Sequence, residues 1–167
     1  MLFPRENTPS QRCNCRTIVE GARAENIGGV GFSLRERRNL IRPWRWKGQF
    51  NENSKHLAWV SSLPEMNHNE VDGFVNPGSV IGKIAAVLLR DPDDHPRIAR
   101  RFDWLARYLG KRNVHVETVM VEGGDPMSRM LGGVSLGDFV SYYLALLNGA
   151  DPSALPGVTA LKRSLQK

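Results

Sequence analysis

Apolar residues in this chain follow two kinds of pattern. Short apolar runs or closely spaced valines, bounded by turn residues, mark buried strands. One covers 56–63 (HLAWVSSL) and is stopped by Pro64; a second covers 81–89 (IGKIAAVLL); a third is built on Val114, Val116, Val119 and Val121. Between them the spacing turns helical. Trp46 and Phe50 recur at i, i+4 behind Pro43, a favoured first helical residue, and predict a short helix over 43–54. Asn67 stands three residues before Glu70, a capping pattern that predicts a helix starting near His68. Asn76-Pro77-Gly78 ends that segment as a turn. Ile98, Phe102, Leu105 and Leu109 form a helical stripe that closes on Gly110. A long helix is expected over 127–147, ended by Asn148-Gly149, and a short last helix carries Leu161, Lys162 and Leu165. Residues 1–40 hold no period beyond about two turns.

Strands alternating with helices predict an α/β fold. The expected form is a three-layer αβα domain with a mostly parallel sheet covered on both faces. In such sheets ligands sit beyond the carboxyl ends of the strands, which points to residues 64–70, after Leu63.

Length and composition agree. At 167 residues the chain fits one domain large enough to fold without disulfides or metal. No run approaches about 18 apolar residues without a charge, so no membrane span is expected. No signal-peptide pattern opens the chain, and a cytoplasmic protein is expected. The net charge of +6 raises the question of nucleic acid. Residues 1–50 hold ten Arg/Lys against four Asp/Glu, whereas the remainder holds thirteen of each. The excess therefore belongs to the N-terminal stretch, and no nucleic-acid-binding motif accompanies it. Residues 1–42 read as an irregular, poorly ordered basic segment, and residues 43–167 as the folded domain.

Two polar clusters beside apolar elements stand out. Glu52 lies between Asn51 and Asn53; His68 lies between Asn67 and Asn69. Amide side chains can orient an acid or an imidazole without adding charge, so Glu52 and His68 form a candidate acid/base pair. A helix end and a capped helix start with solvated side chains would give the same spacing. Cys13-x-Cys15 lacks zinc-knuckle spacing, and the four histidines share no i, i+4 pair, so no metal site is expected. Gly28-Gly29-Val30-Gly31 lacks the full pattern of a phosphate loop and reads as a turn.

Taken together, RWKGQFNENSK (45–55), LPEMNHNEV (63–71) and LGDFVSYYLALLNGADP (136–152) resemble the C-terminal half of the bifunctional phosphoglucose/phosphomannose isomerases. That family is built from two sugar isomerase (SIS) subdomains, and the resemblance covers residues 43–167. It implies that Glu52 moves a proton between C2 and C1 of an open-chain sugar phosphate. It implies that His68 assists ring opening from the neighbouring subunit of a homodimer, and that Lys162 lies near the substrate. The implied reaction interconverts glucose 6-phosphate or mannose 6-phosphate with fructose 6-phosphate through a cis-enediol, without metal or organic cofactor. Residues 1–42 lack the Ser-x-Ser-Gly-Asn-Thr-like phosphate loop of the family's first subdomain and the apolar strand expected before the Pro43 helix. The chain thus reads as a truncated C-terminal half, a second SIS subdomain behind a foreign N-terminal stretch, with phosphate anchoring lost and very low activity expected on its own. An apolar face left for the first subdomain should limit its solubility. A non-catalytic SIS-type module that binds a sugar phosphate is the alternative.

Overall fold

The computed structural model of the protein describes residues 18, 19, 29–35 and 41–166. Cys13, Cys15 and Gly28 lie outside them. Four strands form one sheet: β1 (Gly29–Arg35), β2 (Ala58–Leu63), β3 (Ile84–Arg90) and β4 (His115–Met120). Every pairing is parallel, and the order is β2-β1-β3-β4. The helices are α1 (Ile41–Glu52), α2 (Met66–Asn69), α3 (Gly78–Ile81), α4 (Pro96–Gly110), α5 (Pro126–Leu147) and α6 (Pro156–Ser164). A 3-10 turn spans Val71–Gly73. The expected α/β three-layer architecture is present.

β3 explains the layering. Its burial is continuous, as a strand covered on both faces requires. Ala85, Val87 and Leu89 join Trp46 and Phe50 of α1 and Val140 and Leu144 of α5 in one core. Ile84, Ala86 and Leu88 join Met66, Phe102, Leu105 and Leu109 in the other. The sheet is thus sandwiched between α1 and α5 on one side and α2, α3 and α4 on the other.

α1 and α5 approach closely because glycines permit it. A Cβ at Gly137 would lie 2.2 Å from Trp46 Nε1, and one at Gly133 would lie 2.7 Å from Arg42 Cδ. The Trp46 indole N–H donates to the Gly133 carbonyl at 2.7 Å. The glycines that lower helix propensity here make room for the largest side chain in the core.

Three expectations need correction. Residues 29–35 fall in the stretch read as irregular, with no strand before the Pro43 helix, yet they form β1, paired on both sides within the sheet. Gly29, Val30 and Gly31 are strand rather than turn. Ile18 and Val19 are also buried, in the α1/α5 core. The helix foreseen near His68 is only four residues long, and its N-cap is Glu65 with no side-chain cap bond. Finally, α5 is long and apolar enough to cross a membrane by length and composition. A count of charge-free runs missed it because Arg129 and Asp138 interrupt the helix. Its Val140, Ser141, Leu144 and Ala145 are packed inside this fold.

Candidate functional site

Glu52 closes α1, and the motif around it ties that helix end in place. Phe50 is fully buried, and Ser54 Oγ donates to its carbonyl at 2.7 Å. Asn51 Nδ2 donates to the carbonyls of Lys47 and Ala58 at 2.8 and 3.0 Å, fastening the helix end to the start of β2. Gln49 Nε2 donates to Asp138 at 2.9 Å, and Asn53 Nδ2 to Ser141 Oγ at 3.0 Å, both on α5. Lys55, in the left-handed region at φ 55°, donates to the carbonyls of Glu52 and Asp151 at 2.6 and 2.7 Å. Arg45 binds Asp138 at 3.0 Å, which raises its pKa. The Glu52 side chain is exposed and has no hydrogen bond or ion pair among the described residues.

The second motif has the same plan with other means. Leu63, Met66, Val71 and Phe74 are buried and pin the segment after β2 to the α4 core. Ser61 Oγ, also buried, donates to Glu70 Oε2 at 2.5 Å. Asn69 Nδ2 donates to Glu65 at 2.9 Å, and Asn67 Oδ1 accepts from Arg101 at 3.3 Å. The peptide bonds Leu63–Pro64 and Asn76–Pro77 are cis. His68 is exposed and unbonded among the described residues. The amides were expected to orient Glu52 and His68. They bond the backbone, Ser141, Glu65 and Arg101 instead, and so build the platforms from which the two groups project.

Topology sets Glu52 and His68 apart. α1 returns antiparallel to the strands, so Glu52 lies at the amino edge of the sheet. His68 follows the carboxyl end of β2. The six residues of β2 lie between them, about 20 Å of strand. One copy of the chain does not bring them to one hollow. Lys162 sits on α6, which leaves the same edge as Glu52 and has no buried residue.

The crevice at the carboxyl ends of β1 and β3, where the strand order reverses, is held by ions that the sequence reading did not single out. Asp91 takes Arg42 Nη2 at 3.1 Å and Arg129 Nε at 3.2 Å, with all three side chains under 10% exposed. Arg129 also binds Asp93 and the Gly123 carbonyl. Burial pushes the Asp91 carboxyl up. The Asp93 amide, the Arg42 hydrogen bond and the charge of Arg129 outweigh it and hold Asp91 below the usual carboxylate range. Close approach at Gly123 is required here, since a Cβ would meet the Arg129 nitrogen at 2.8 Å and its φ is 149°. Partners some forty to fifty residues apart leave no local motif. The glycines of GGVSLG within a helical stretch were the one available sign of close packing beside this cluster.

Among the described residues no group of three or more His, Cys, Asp or Glu is placed to hold a metal ion.

The domain is an α/β fold with a parallel four-stranded sheet between two helix layers. It is similar in fold to a hypothetical protein from Thermus thermophilus, with TM-score 0.64 and 12% identity, covering 96% of this chain and 50% of that one. It is also similar to a glucosamine-6-phosphate deaminase from Thermotoga maritima, with TM-score 0.58 and 14% identity, covering 89% and 44%. Residues 41–165 match the bacterial phospho-glucose isomerase C-terminal SIS domain, and the chain belongs to that family. It is 41% identical over 123 residues to the bifunctional phosphoglucose/phosphomannose isomerase of Aquifex aeolicus, covering 74% of this chain and 38% of the relative. It is 39% identical over 122 residues to the same-named enzyme of Caldicellulosiruptor bescii, covering 72% and 36%. The chain thus spans somewhat over a third of the length of these relatives.

Proposed function

We propose that this chain supplies the proton-transfer half of an aldose–ketose isomerase acting on sugar phosphates, interconverting glucose 6-phosphate or mannose 6-phosphate with fructose 6-phosphate. Glu52 removes the proton from C2 of the open-chain aldose and returns it to C1 of the cis-enediol. His68 of a second copy carries the proton from the anomeric O1 hydroxyl to the ring oxygen O5 as the C1–O5 bond breaks during ring opening. Lys162, on the edge that Glu52 occupies, steadies the developing oxyanion. No metal or organic cofactor enters these steps. A cytoplasmic setting suits such a substrate.

The single observation carrying this reading is the placement of two free ionisable groups at opposite edges of the sheet. Each projects from a platform built by its own motif, and neither is used in folding. Separated in one copy, they fit a site completed by pairing. Exposed apolar residues on α5 (Leu131, Phe139, Leu146) and on α6 and its C-cap (Val158, Leu161, Leu165) offer surface for such pairing.

The test is a coupled isomerase assay with both hexose phosphates. Wild-type turnover abolished by Glu52→Gln supports the proposal. Binding of sugar phosphate with no turnover, unchanged by Glu52→Gln, would instead assign the chain as a binding module.

A further inference from the structure

We propose that the cleft between α2 and α4 binds a phosphate monoester carrying a ring. The cleft is about 340 Å³ and is lined by Asn67, Arg100, Arg101 and Trp104. No carboxylate lines it. Asp103, the acid within α4, is held by Arg90 at 2.7 Å. Arg101 Nη1 donates to Asn67 Oδ1 at 3.3 Å, which fixes the amide. Asn67 Nδ2 is then left without an acceptor among the described residues. Arg100 is exposed and likewise has no acceptor among them.

The aromatic wall is held ready. Trp104 stacks on Tyr108 with centroids 4.7 Å apart and planes 24° apart, and the Arg112 guanidinium lies 3.5 Å from the Tyr108 centroid. The indole nevertheless stays 43% exposed. Charge gathers here too. Arg97, Arg100, Arg101, Arg107, Lys111 and Arg112 lie on or just beyond α4, so the neutral count for residues 51–167 conceals a basic face. Two guanidiniums match the oxygens of a phosphate in fork geometry, and an indole face accepts a sugar or planar ring. Four lining residues in one cleft suit a small ester better than a long polyanion. Binding needs no proton transfer and does not depend on the isomerase reading.

The test follows the Trp104 indole N–H resonance of the full chain, assigned with Trp104→Phe. The chain is titrated at constant ionic strength with inorganic phosphate, glucose 6-phosphate and glucose. Saturable shifts are expected with both phosphates and none with glucose. Arg100→Ala/Arg101→Ala should weaken binding about tenfold or more, because charge-assisted bonds are lost. Arg100→Lys/Arg101→Lys should fall between, keeping charge without the fork. Glu52→Gln should change nothing, which separates this outcome from the fate of the isomerase assay. The indoles of Trp44, Trp46 and Trp59 report retained folding. Linear, unsaturated shifts, or equal affinity in the alanine variant, would overturn the proposal. So would binding confined to an oligonucleotide with steep salt dependence, which would mark an extended polyanion surface instead.

Discussion

The two ends of β2 solve one problem in different ways. At the amino end, Glu52 stands on a helix tip bound to α5 by polar side chains: Gln49 to Asp138, Asn53 to Ser141, and Asn148 Nδ2 to the Ser54 carbonyl at 3.3 Å. At the carboxyl end, His68 stands on a short segment held by buried Met66, Val71 and Phe74, with the Ser61–Glu70 bond as its polar tie. The amino end thus combines one fully buried anchor, Phe50, with polar ties to α5, whereas the carboxyl end rests mainly on apolar anchors.

The predictions that break this comparison begin with the shared frame. Asp91→Ala leaves two buried guanidiniums facing each other and should cost about 3–5 kcal/mol in a denaturant titration. Gly137→Ala forces a methyl onto the indole of fully buried Trp46. It should cost roughly 3 kcal/mol or more, at the upper end of overpacking effects, and should displace α1 and the Glu52 end first. Glu70→Ala leaves the Ser61 hydroxyl buried and unbonded, for about 1–3 kcal/mol, and should loosen the His68 end while sparing Glu52. Hydrogen exchange at the two ends reads that asymmetry. Glu52→Gln, at an exposed unbonded site, should stay within about 0.5 kcal/mol of wild type.

Acid should also act at the amino end. His56 precedes β2, and its Nε2 is enclosed without a partner among the described residues. Burial disfavours the imidazolium and lowers the His56 pKa below its ordinary value. The unfolded chain therefore takes up this proton first, and the His56 contribution is full at neutral pH and shrinks as pH falls through about 6.5. The melting temperature should be lower at pH 5.5 than at pH 7.5, and His56→Gln should narrow the gap.

Much of the frame was legible from pattern. Short apolar runs located β2 and β3, spaced valines located β4, and the Ile98–Leu109 stripe located α4. β1 escaped because GVGFSLR carries two glycines, a serine and an arginine. Its backbone pairs with β2 on one side and β3 on the other. The Asn67–Glu70 capping signal misled because Glu70 turns to Ser61 across the chain, a partner that spacing cannot reveal. Glu52 and His68 were legible as candidates from their motifs. Their separation was not, since it depends on strand order and on which end of a parallel strand each motif adjoins.

Sharing of the site between copies is the claim most directly open to measurement. Glu52→Gln and His68→Ala chains are each inactive in this account. When they are mixed, unfolded and refolded together in equal amounts, half the dimers should be mixed, and each mixed dimer should carry one intact site of two. Turnover should therefore return to about a quarter of the wild-type value. No recovery from the mixture, with the wild-type chain active under the same treatment, would contradict it.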